Sequence, residues 1–190
     1  MSAFLSRMII PVLTLLLPGR TDWFTSNFSV VGSTYPQNIL LLLWAIVTGS
    51  FFHKITSHIV GQAAPFLSAR KELALTDLAV FLLIGAVFLP YLPETNPLIA
   101  FVHLAMAFSA TVLFFIALTI LDLRLYLIQP ELFSLPTALL VAAIAICFAL
   151  LILCEFLITS ALEIFITLFA CVWIRIFEQR VRLLSEQLSA

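Results

Sequence analysis

The sequence predicts an all-α fold: one domain, a polytopic membrane bundle of six transmembrane helices with both termini cytosolic. Three observations predict it. First, 63% of the 190 residues are apolar and only 10% are charged, against about 25% charged in a soluble domain. Mean hydropathy is +1.20. Second, the chain contains six apolar runs able to serve as crossings of a hydrocarbon core about 30 Å thick, a task for roughly 20 residues each. Third, threading six helices with both ends inside places Arg7, Lys54, Arg70, Lys71, Arg124, Arg175, Arg180 and Arg182 on the inner side and leaves only Arg20 outside. An excess of Lys and Arg on cytoplasmic loops is what orients membrane proteins.

Helix one is expected over about 3–17, with Pro11 positioned to kink it. No small-x-small cleavage site follows this stretch, so it reads as a retained helix rather than a signal. The outer segment 18–37 holds Trp23, Phe24, Phe28 and Tyr35. Such rings favour the membrane interface, and the segment is expected to lie across the helix ends. Helix two is expected over 38–58 and an inner connector over 59–73. Helix three follows over 75–89. An outer turn with Pro90, Pro93 and Pro97 precedes helix four over 98–121. An inner loop is expected over 122–133, then helix five over 135–153. Helix six, over 157–177, is expected to continue as a polar cytosolic tail.

Ionisable groups at membrane depth are costly and mark candidate sites. On the outer side these are His103, Glu155 and Glu163, beneath the loop that carries Asp22, Ser29 and Ser33. His103 and Glu163 each lie about six residues into their helices, roughly 9 Å deep at 1.5 Å per residue. Glu163 has no basic neighbour within a helical turn, so His103 is its expected partner. Gly32 is expected to adopt a positive φ in an ordered loop. Asp77, after Thr76, is placed to cap helix three. Asp122 and Arg124 read as interface charges, and His53 and His58 as snorkelling side chains. Glu155 sits at the turn between helices five and six, where solvation or capping would suffice.

Cys147, Cys154 and Cys171 lie within apolar runs and read as packing residues. Asn27-Phe28-Ser29 is a glycosylation sequon that matters only in a secretory setting. No glycine-rich phosphate loop, G-x-S-x-G elbow or H-E-x-x-H is present. No cofactor or nucleic-acid partner is expected, and enzymatic activity is left open, with the balance against it.

The run Ser29-Val30-Val31-Gly32-Ser33-Thr34-Tyr35-Pro36-Gln37 resembles the S-x-x-G-x-x-x-P-E signature in the first outer loop of the DRAM-like family, which includes autophagy modulators and GPI-lipid-remodelling proteins. His103 and Glu155-Phe156 match a family-like His and an acidic-aromatic pair, and a bacterial six-helix family of unknown function shares the layout. Val30 and Gln37 depart from the usual Asp and Glu. The resemblance implies a lipid-related role, with ligand-binding residues among Ser29, Gly32, His103, Glu155 and Glu163, and membrane lipids as partners. A weaker resemblance, in Phe52-His53-Lys54 and in Asp77 with Gly85 and Pro90, is to the progestin-and-adipoQ-receptor and haemolysin-III superfamily. It implies a zinc-dependent hydrolase with a metal role for His53 and Asp77. The chain lacks that superfamily's H-x-x-x-H pair, which makes a degenerate site the expectation. A third reading is a non-catalytic interaction or immunity-type membrane protein, engaging a protein partner or a second copy of itself.

Overall fold

The computed structural model describes residues 4–34 and 36–189. Ala3 of the expected first helix and Tyr35 of the loop lie outside the described residues. The fold is all-helical. Helix α1 (Leu5–Leu16) opens with a π-helical segment over Leu5–Ile9. A short α2 (Phe28–Val31) lies in the first loop. Then follow α3 (Gln37–Ala63), α4 (Arg70–Phe88), α5 (Pro97–Ile128), α6 (Pro130–Leu153) and α7 (Ser160–Ser189).

Four helices, α3, α5, α6 and α7, are long and apolar enough to cross a membrane, so the chain is a membrane protein. Helix α1 has 12 residues and, at 1.5 Å each, is about 18 Å long. Helix α4 carries Arg70, Lys71, Glu72 and Asp77 within its first eight residues, which breaks its apolar run.

Successive helices from α3 to α7 pack as neighbours, α4 against α5 most extensively, and α1 closes the ring between α3 and α7. Side chains of α3, α5, α6 and α7 meet in one core, where Trp173 stacks on Phe177 and Phe177 meets Phe133 edge-on. Pro136 lies inside α6, and the Trp173 indole N–H donates to its carbonyl at 2.8 Å. A second cluster, Leu17, Phe28, Leu41, Trp44, Ala45 and Ile164, joins the first loop to α1, α3 and α7. The second cluster uses Leu41–Ala45 of α3 and the first Phe51–Ala63, so the loop packs at the N-terminal end of α3.

The helix ends revise the expected connectors. Helix α5 runs past Asp122 and Arg124 to Ile128, and only Gln129 separates it from α6. Pro97 and Pro130 each occupy a first helical turn, where the missing N–H costs nothing. The expected inner loop 122–133 is thus mostly helix. The charges that suggested it find partners: Arg124 Nη1 donates to Glu72 Oε1 at 2.5 Å and to the Ser68 carbonyl at 3.0 Å. Similarly α3 extends to Ala63 and α4 starts at Arg70, so the 59–73 connector shrinks to a few residues. The turn after α6 holds Glu155 at φ 54° and Phe156 at φ 63°. Phe156 N–H reaches back to the Leu151 carbonyl at 2.6 Å, a helix-ending bond usually built around glycine.

Candidate functional site

The site begins in the first loop. Asn27 is extended and its side chain accepts the Val30 N–H at 2.9 Å, which starts the single turn of α2. Neighbouring hydroxyls are spent locally. Those of Thr21, Ser26, Ser33 and Thr34 donate to the carbonyls of Pro18, Asp22, Val30 and Val31. The segment is ordered by its own hydrogen bonds before it touches the bundle.

It then docks on α7 from both directions. The N–H groups of Ser160 and Ala161, which have no partner inside their own helix, donate to the carbonyls of Ser26 and Trp23 at 2.7 and 2.9 Å. In return Glu163 Oε2 accepts the Phe28 N–H at 2.7 Å. Phe28 is buried, with its ring edge-on to Trp44, and the Trp44 indole N–H donates to Thr14 Oγ1 at 2.9 Å.

The expected Glu163–His103 pair does not form. The carboxylate takes a backbone amide of the loop, and the imidazole takes the next residue. His103 Nε2 lies 2.7 Å from Ser29 Oγ, and Nδ1 lies 2.8 Å from the Leu89 carbonyl. A carbonyl only accepts, so Nδ1 carries the ring proton and, in the neutral ring, Nε2 accepts from the Ser29 hydroxyl. His103 is 3% exposed while Ser29 is half-buried. The Tyr91 ring stands 5.5 Å from the imidazole.

Gly32 is needed for room rather than for conformation. Its φ is −70°, in the ordinary helical region, which corrects the expected positive angle. A Cβ there would collide with the Leu41 side chain and the Phe28 carbonyl. Close approach of α2 to α3 therefore requires glycine.

Beneath this clasp, between α3, α4, α5 and α7, is a narrow cavity of about 80 Å³, partly open to the surface. Trp44, Phe52, Leu83, Phe114 and Ile166 supply apolar walls, with Thr48, Thr111 and Thr167 among them. Thr14, Thr76, Thr111, Thr137 and Thr167 each donate to the carbonyl four residues earlier. Thr48 does not. It is 3% exposed, and its hydroxyl has no partner among the described residues. A buried hydroxyl without a partner costs about 1–3 kcal/mol, so a ligand oxygen here would be favoured.

The other predicted residues stand apart. Glu155 is exposed in the α6–α7 turn, away from the clasp's hydrogen bonds among the described residues. His53 and Asp77 do meet, Nδ1 to Oδ1 at 2.6 Å, but both side chains are about half exposed. Asp77 is in the third turn of α4 and does not cap it. No group of three or more His, Cys, Asp or Glu able to hold a metal occurs among the described residues, so no three-ligand zinc site accompanies the pair. His58 lies 3.7 Å from Glu178 in a polar pocket with Gln62, Arg175, Gln179 and Arg182. Asp122, expected at an interface, is fully buried. Sequence reasoning missed Thr48 and Trp44, and nothing in the apolar run of α3 distinguishes them. Glu72, also missed, is 4% exposed and held by Arg124.

Compared with protein-family models, with curated proteins and with solved structures, the chain gives no match.

Proposed function

We propose that the chain crosses the membrane six times, with both ends cytosolic, and takes up the apolar part of a lipid from the outer-leaflet side. The cavity beneath the loop carries this reading. It is walled by four helices, apolar except for threonine hydroxyls, and one of those hydroxyls is buried without a partner among the described residues. The loop above it is fixed to α7 by Glu163 and to α5 by His103, which gives the cavity a hydrogen-bonded cover. The eight-to-one division of basic residues supports the assignment of the loop to the outer face. A solid helical core would instead have supported a pure interaction protein.

Native mass spectrometry of the protein released from mild detergent tests the reading. The wild type is expected to retain a lipid adduct. Ala110, which is buried and lines the cavity, is expected to block it as Ala110→Phe, with adduct intensity falling at least severalfold. Equal adducts in a folded Ala110→Phe protein would overturn it.

A further inference from the structure

We infer that Ser29 and His103 are a nucleophile–base pair for acyl transfer from an ester-linked lipid. The inference rests on the lipid-handling reading and assigns a chemistry to the same site.

The geometry is that of an activated serine. The nucleophile donates to a base at 2.7 Å, and a third group orients the base at 2.8 Å. The third group here is the Leu89 carbonyl, which fixes the proton on Nδ1 and aims the Nε2 lone pair at Ser29 Oγ. A hydroxyl serving only to fold the loop would do what Thr21, Ser26, Ser33 and Thr34 do, and donate to a nearby carbonyl. Ser29 instead bonds a side chain 74 residues away. The base is dry and the nucleophile is half-buried, so a substrate can reach Oγ without water flooding the imidazole.

The depth suits an ester. Helix α5 has 32 residues and at 1.5 Å each is about 48 Å long. That matches the about 40–45 Å of a bilayer with its headgroup layers. Its first residue then lies at the outer rim of the headgroups. His103, six residues on, lies about 9 Å lower, where ester bonds join headgroup to chains. Leu98, Phe101 and Val102 are exposed beside it and offer an apolar approach from the lipid. The cavity holding Thr111 lies eight residues further along α5, about 12 Å below the imidazole, within reach of an acyl chain whose ester sits at Ser29.

In the step, Ser29 Oγ attacks the ester carbonyl carbon while Nε2 takes the hydroxyl proton. The carbon–oxygen bond to the alcohol breaks, and Nε2 returns that proton to the departing alkoxide oxygen. The products are an acyl-Ser29 and a free alcohol. Water, or a second alcohol, then attacks the acyl-Ser29 carbonyl with its proton passing to Nε2, and Ser29 leaves with that proton restored. No oxidant or reductant is required.

The test uses the full chain in lipid nanodiscs with an alkyl fluorophosphonate, which phosphonylates an activated serine with loss of fluoride. Peptide mass spectrometry is expected to find the label on Ser29 and not on Ser33. His103→Gln retains a hydrogen-bonding side chain but is a far weaker base, and is expected to slow labelling about 100-fold, within the range for a general base, with its melting temperature reported alongside. An unreactive Ser29, or a rate unchanged in His103→Gln, overturns the dyad. If the lipid adduct persists in that case, the lipid-handling reading stands without it. A reactive Ser29 in a protein that retains no lipid overturns the lipid as substrate.

Discussion

Glu163 and Phe28 lie 135 residues apart in sequence, yet the carboxylate of one accepts the backbone N–H of the other at 2.7 Å. The contact makes the first loop part of the bundle. Replacing Glu163 by Gln keeps an acceptor for the amide, whereas Glu163→Ala orphans it. The alanine variant is expected to lose about 1–3 kcal/mol, and the glutamine variant less. Thermal unfolding in detergent measures the order, and an equal loss would show that the amide bond is not what the carboxylate contributes.

Gly32 and Gly61 are predicted to respond differently to a methyl group. A methyl at Gly32 meets Leu41 and the Phe28 carbonyl, whereas one at Gly61 meets nothing within 4 Å. Gly32→Ala is expected to cost about 1–3 kcal/mol through overpacking. Gly61→Ala, within α3, is expected to be neutral or to stabilise by up to about 1 kcal/mol through helix propensity. Melting temperatures of the two variants check it; a matched decrease would contradict the packing at Gly32.

These residues show how much the sequence makes legible. The apolar runs locate the four helices that are long and apolar enough to cross a membrane, because helix length there follows from hydrophobic length. Their ends are less legible. Arg124 and Asp122 look like loop residues until Glu72 is known to lie across from Arg124. Ser29 and His103 stand out individually as an outer-loop motif and a membrane-depth histidine. Their bond, like the Phe28–Glu163 bond, depends on how the twenty-residue segment between α1 and α3 folds back, and no periodicity encodes that. The partner of a buried acid can also be a backbone amide, which has no residue type to search for. Thr48 is hidden for a similar reason: its difference from Thr111 and Thr167 lies in hydroxyl direction.

The Glu72–Arg124 pair yields a third prediction. Glu72 is almost wholly buried and Arg124 is 40% exposed. Arg124→Met should leave a buried carboxylate uncompensated, at a cost toward the lower side of the about 3–5 kcal/mol seen for buried pairs, since solvent screens the arginine. Adding Glu72→Gln should recover part of the loss. A double-mutant cycle on thermal unfolding reads the coupling, and strictly additive effects would contradict it.

Orientation is checked by cysteine accessibility in a chain whose Cys147, Cys154 and Cys171 are replaced by Ala. Ser26→Cys in intact cells is expected to react with a membrane-impermeant maleimide, and Gln187→Cys only after lysis. The reverse pattern would overturn the assignment of the loop to the outer face.

The central claim is that a lipid chain occupies the cavity between α3, α4, α5 and α7. Photocrosslinking with a phospholipid bearing a diazirine in its acyl chain, followed by peptide mass spectrometry, tests it most directly. Label is expected on cavity residues such as Val80, Phe114 and Ile166, and is expected to be lost from them in Ala110→Phe. Label confined to the exposed residues Phe81, Phe108 and Phe148, with none in the cavity, would contradict it.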